Sequence, residues 1–206
     1  MEELRKVYDP ETDLSIVDMG FVKDVKVNGS EVEVTLLPPT FWCSPPFMYM
    51  IMRDVKEKLR ERYTNVKVRI IGHHDSERLN SCIERGITFE ECYPNEAGGY
   101  FYDLYKTFII KRIKARSYRV MKIIKKYGLK GDEDFEVLGD TVRVGNKVIG
   151  DKEEVKELKE YVELLKAINT KSIIPTEVHE AKLYRLSLGI NGEFCKLLGE
   201  SRRERN

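Results

Sequence analysis

Apolar positions change their period several times along this chain, and each change marks an element. After a short charged segment, Val25 and Val27 alternate with polar residues, Asn28-Gly29-Ser30 supplies a turn, and Val32, Val34 and Leu36 alternate with Glu31, Glu33 and Thr35. Period two on both sides of a turn predicts a β-hairpin with one buried face. From Pro45 to about Arg62 the period becomes helical, with Phe47, Ile51, Val55 and Leu59 at every fourth position and Met48 and Met52 beside them. The first half of this helix is apolar nearly all round, which fits core packing or an outer face covered by a dimer partner. Val66, Val68 and Ile70 then alternate with Lys67 and Arg69 as a third strand that runs into Ile71-Gly72-His73-His74. A short helix follows, capped by Asp75 or Ser76, with Leu79, Cys82 and Ile83 inward and Gly86 ending it. These elements predict an α+β fold, a small three-stranded sheet with helices on one face.

Asn95-Glu96-Ala97-Gly98-Gly99 interrupts the apolar periodicity and reads as a linker between a domain over 1–95 and a second over 100–206. The second is expected to be mostly helical with a short β-hairpin. Tyr100 to Lys126 makes one long or two broken helices, Gly139-Asp140 and Gly145-Asn146 turn short strands between Phe135 and Ile149, and Asp151 to Ile168 is helical with Val155, Leu158, Val162 and Leu165 on one side. Pro175-Thr176 starts a further helix, Gly189 to Gly192 breaks it, and a charged tail frays after Gly199.

Composition narrows the functional classes. In 206 residues, 36 Lys and Arg nearly cancel 35 Asp and Glu, so bulk charge predicts no polyanionic partner. Glutamine is absent while Lys, Arg and Glu abound, the composition expected of a thermophilic source. The start, Met1-Glu2-Glu3, has no basic-plus-apolar signal, and the longest apolar run, Phe47 to Met52, is too short to cross a bilayer, so a soluble cytoplasmic protein without membrane contact is expected. Local charge is uneven. Leu104 to Gly131 carries ten basic residues and no acid, whereas Asp132 to Glu163 carries eleven acids and five bases. The acidic segment is expected to neutralise the basic one within its own domain or to share a docking surface with it. The competing reading is a winged-helix-like, nucleic-acid-binding regulator.

Cys43 carries the sharpest chemistry. Ser44 suits an N-cap and Pro45 the first helical position, so the cysteine lies just ahead of a helix, where N–H groups and the macrodipole favour the thiolate that binds soft metals. The alternative is a small buried apolar cysteine. The cysteines at 43, 82, 92 and 195 show no Cys-x-x-Cys and are expected to remain thiols in a reducing cytosol. Cys82 and Cys195 read as packing residues; Cys92, in a loop beside Tyr93-Pro94, is the candidate second metal ligand. His73 and His74 leave a strand toward opposite faces and so do not share an ion; they read as solvated or turn-forming, with one of them near Cys43 as the alternative. No histidine and carboxylate accompany Cys43 at a recognisable spacing, and no enzymatic activity is expected.

Several short motifs occur in order: Asp9-Pro10-Glu11, Ile16-Val17-Asp18-Met19-Gly20, the hairpin, then Thr40 and Cys43 before a helix, and finally Ser76 to Phe89. On these the first 95 residues resemble the PaaD/SufT-like metal–sulfur cluster assembly domain. Phe41 and Trp42 stand where that family often has a glycine before its cysteine, and the second cysteine set at the end of some PaaD proteins is missing. The resemblance implies help in building or delivering an iron–sulfur cluster to a client such as an oxygenase or reductase. It makes Cys43 the functional residue, with Thr40 beside it at the cluster site and Asp18 with Gly20 shaping that site, the alternative for this pair being structural, Gly20 allowing a positive φ and Asp18 capping a turn. One cysteine cannot hold a cluster alone. A transient cluster shared with a client, a scaffold or a second copy of the chain follows, and the C-terminal half is left to select the client.

Overall fold

The computed structural model describes residues 2–170 and 176–203. The hairpin forms as β1 (Val22–Asn28) and β2 (Glu31–Leu36), antiparallel, with Val25 opposite Val34. After α1 (Pro45–Arg60), β3 (Asn65–Ile70) returns parallel to β2, pairing Val34 with Val68 and Leu36 with Ile70. Parallel neighbours need a crossover, and α1 is that crossover. Val32, Val34, Leu36, Val66, Val68 and Ile70 all point into the core. Val27 does not: it is 55% exposed, on the end of the edge strand β1 where every residue after Val25 is exposed.

Met48 through Met52 of α1 are all buried, so the apolar girdle of this helix is used within the chain and leaves no outer face for a partner. α2 (Ser76–Arg85) ends at Gly86, whose φ of 69° provides the left-handed cap. A capping box of Thr88 and Glu91 then starts the single turn α3 (Phe89–Cys92). This reversal brings Cys82 and Cys92 to a Cα separation of 5.9 Å, and they form a disulfide where free thiols were expected.

Residues 95–99 are a hydrogen-bonded turn instead of a loose linker. Ala97 N–H donates to Tyr93 O at 2.8 Å, Tyr100 N–H to Ala97 O at 3.1 Å, and Arg78 grips Glu96 at 2.9 Å. Phe101, the first residue of α4 (Phe101–Lys126), stacks on Phe89 with ring centroids 4.6 Å apart. The first compact unit therefore runs on to Tyr105, and it also takes in the chain from Gly189 onward; Lys106–Leu188 forms the second.

In the second unit, β4 (Phe135–Leu138), β5 (Thr141–Val144) and β6 (Lys147–Ile149) form an antiparallel meander whose two turns fall at the expected Gly139-Asp140 and Gly145-Asn146. Asp151 caps α5 (Lys152–Ala167) by accepting from Glu154 N–H at 3.1 Å. α4 is one unbroken helix whose cations meet the acids of α5: Arg116 pairs with Glu157 at 3.7 Å and with Glu160, Arg119 with Glu157 at 3.0 Å, and Lys126 with Glu154 at 2.7 Å.

α6 (Val178–Arg203) is continuous through Gly189, Gly192 and Gly199, so the expected break is not there; the expected start at Pro175 lies outside the described residues. Two of these glycines are contact surfaces. A Cβ at Gly192 would lie 2.5 Å from Leu14 Cδ1, and one at Gly199 3.5 Å from Met19 O. Among the described residues, no helix is long and apolar enough to cross a membrane.

Candidate functional site around Cys43

The segment before β1 is shaped by its own short hydrogen bonds. Asp9 Oδ1 accepts from the N–H groups of Glu11 at 3.0 Å and Thr12 at 2.9 Å, folding the Asp-Pro-Glu stretch into a side-chain-supported turn. Residues 15–20 make one helical turn that ends at Gly20, with φ 71°, and Phe21 N–H closes it onto Ile16 O at 2.8 Å. Asp18 pairs with Arg5 on the solvent side of this turn. Gly20 thus serves the backbone, and Asp18 is engaged with a cation.

Leu37 N–H donates to Phe21 O at 2.7 Å and launches the loop that carries Cys43. Thr40 Oγ1 accepts from Trp42 N–H at 3.2 Å and lies 3.2 Å from Cys43 Sγ, so the threonine and cysteine of the motif do meet. The helix start behind them has Ser44 at the N-cap and Pro45 at the first helical position, as expected, but without the side-chain cap. Ser44 occupies the N-cap position with its backbone, its carbonyl accepting from Phe47 and Met48 at 3.1 Å, and its hydroxyl caps nothing. Pro45 and Pro46 fill the first two helical positions, and neither has an N–H to aim at the sulfur. The hydrogen bond at the sulfur is the one it shares with the Thr40 hydroxyl.

The turn after β3 holds this loop in place. His73 is buried, and its Nδ1 accepts from Asp75 N–H at 3.1 Å. Nε2 therefore carries the proton and donates it to Cys43 O at 2.6 Å. Burial pushes the His73 pKa below its ordinary value, against the opposing pull of the Cys43 carbonyl. His74 N–H donates to Phe41 O at 3.0 Å, and its ring stacks on Trp42 at 5.4 Å. Both histidines thus clamp the cysteine loop, the alternative raised above for one of them. Trp42 itself is 75% exposed beside the thiol.

Three residues of α6 complete the surroundings, and sequence reasoning placed none of them here. Arg202 donates to Pro38 O at 2.8 Å and to Gly72 O, and Arg203 donates to Gly20 O at 2.9 Å. Cys195 packs partly buried against the same core as Cys43. Its thiol is pushed up to about 11, by burial first and then by Asp9, Cys43 and Glu11. Cys92 is not available as a second ligand while its sulfur is bonded to Cys82. Among the described residues, no three His, Cys, Asp or Glu side chains gather as a metal-ion site.

Residues 1–70 match the family model described as iron-sulfur cluster assembly protein. The matched segment ends at the last residue of β3, and so holds the motif turn, the hairpin, Thr40 and Cys43 but not the histidine clamp or α6. An uncharacterized protein of Methanocaldococcus jannaschii is 28% identical over 85 residues, which cover 41% of this chain and 90% of that one. No solved structure matches the chain.

Proposed function

We propose that the first unit is an iron–sulfur cluster assembly or targeting factor that receives a cluster as cargo on Cys43 and passes it to a client such as an oxygenase or reductase. The match of residues 1–70 to the cluster assembly family carries this reading. The loop chemistry is consistent with it: clusters are held by cysteine thiolates, and Cys43 is a free, partly exposed thiol on a loop fastened from several directions. Ligation releases the thiol proton to solvent, and transfer is an exchange of thiolates at iron, for which no resident catalyst is needed. His73 is not placed to act as a base, because both ring nitrogens already hold hydrogen bonds. Exposed Trp42 and Phe41 beside the thiol offer apolar contact to a client protein. In this reading the protein works in the cytoplasm, and the second unit selects the client.

Against the nucleic-acid reading, four of the ten cations of the basic segment, Lys114, Arg116, Arg119 and Lys126, are ion-paired to glutamates of their own unit. Anaerobic reconstitution with ferrous iron and sulfide tests the proposal. Wild type is expected to retain iron and mature a client apoprotein, and Cys43→Ala to lose both several-fold. Equal iron and equal maturation in the two proteins would remove Cys43 from the role.

A further inference from the structure

Gly192, Cys195, Gly199 and Arg202 follow one another at intervals of three, four and three residues, which puts them on one face of α6. The structure shows what three of them touch. Gly192 lies against Leu14 and Thr12, Gly199 against Met19 O and Pro39, and Arg202 donates to Pro38 O and Gly72 O. This face therefore lies across the motif turn and the start of the Cys43 loop, and Cys195 sits on it between Gly192 and Gly199. Cys43 and Cys195 are packed on the same core, and they are the free cysteines of the described residues. The charges that act on the Cys195 thiol come from Asp9, Cys43 and Glu11, the same two segments.

We infer that Cys195 is the second thiol of the Cys43 site, and that the two sulfurs, drawn from positions far apart in the chain, bind one cluster together as cargo. This rests on the reading of Cys43 as a cargo ligand and removes the need for a second copy of the chain to supply the next thiolate. On binding, two sulfur–iron bonds form as two ligands of the donor leave the same irons, and the two thiol protons pass to those departing ligands or to solvent, with no change of oxidation state. The remaining iron positions stay open to the donor or the client, which is what a carrier needs. The match to the assembly family stops at residue 70, so the second thiol belongs to a part of the chain that the family model does not describe.

Dibromobimane tests the pair in the folded protein without added reductant, so that Cys82 and Cys92 stay bonded. It becomes a strongly fluorescent cross-link when two neighbouring thiols each displace one bromide. Wild type is expected to yield one cross-linked peptide pair joining Cys43 to Cys195, with fluorescence at least tenfold above that of Cys43→Ser or Cys195→Ser. Two separately alkylated thiols in wild type would overturn the pairing, and that result depends on no variant. Iron reconstitution separates this inference from the function it rests on. Iron retention in Cys195→Ser and Cys195→Ala is expected to fall to the Cys43→Ala level. Retention at the wild-type level in both Cys195 variants, with loss in Cys43→Ala, would overturn Cys195 alone; full retention in all of them would overturn both readings.

Discussion

His73 shows how one buried side chain sets the position of a reactive one. Its neutral form both accepts from Asp75 N–H and donates to Cys43 O, so a proton added at Nδ1 would break the first bond and place a charge in the core. Because burial lowers its pKa, the folded state takes up this proton later than the unfolded chain does. The contribution of His73 to stability is fully present above the ordinary histidine value of 6.5 and is lost as the pH falls below it toward the lowered folded value. Urea unfolding of wild type is therefore expected to weaken between pH 7 and pH 5, and His73→Gln, which keeps a donor but does not titrate, to weaken less (both roughly spanning the histidine range). Identical pH profiles would show that this ring does not titrate with unfolding. Thr40 complements it from the other side, tying Trp42 N–H and Cys43 Sγ to one hydroxyl.

At the level of elements, the C-terminal half of α6 is the instructive one. Glycine weakens a helix interior by about 1 kcal/mol relative to alanine, so Gly189 and Gly192 read as a break and Gly199 as the start of a frayed tail. Contact with the motif turn reverses that reading, because a bare backbone at 192 and 199 lets the helix approach Leu14, Thr12 and Met19 closely. The two kinds of glycine are separable by experiment. Nothing lies within 4 Å of a Cβ added at Gly189, so Gly189→Ala is expected to stabilise, by about 0.5–1 kcal/mol. Gly192→Leu drives a side chain into Leu14 and Thr12 and is expected to cost about 1–3 kcal/mol. Denaturant midpoints that moved in the same direction for both would contradict the packing role of Gly192.

Across the whole molecule, the near-zero net charge conceals two opposed segments that meet inside the second unit. Arg116 has a buried side chain between Glu157 and Glu160. Removing it takes the close cation from Glu160 and leaves Glu157 with Arg119, and Arg116→Ala is expected to destabilise by about 3 kcal/mol. Lys166→Ala, which breaks an exposed pair with Glu163, is expected to cost under about 1 kcal/mol. Comparable small losses for the two in urea unfolding would mean that the basic helix is held by something other than α5. The division into units follows packing in the same way. Phe101 stacks on Phe89, and the glycine face of α6 docks on the motif turn, so the first unit gathers residues from both ends of the chain.

The alternation in β2 and β3, the four-residue period of α1, the glycine that ends α2 and the ordered motifs up to Cys43 were all legible in the string of residues. Each is a short-range signal, in which neighbours in sequence are neighbours in space. The meeting of Thr40 with Cys43 belongs with them, since three residues separate the two. The Cys82–Cys92 bond, the hold of Arg202 and Arg203 and the packing of Cys195 on the first unit's core had no such signal, and the histidine clamp was only one alternative for His73 and His74. They join segments whose separation along the chain says nothing about their distance in space, and only packing of the sheet, helices and turns against one core brings them together. Cys43 was visible as a candidate from its neighbours; the hold on its loop came from the turn after β3 and from the far end of the chain.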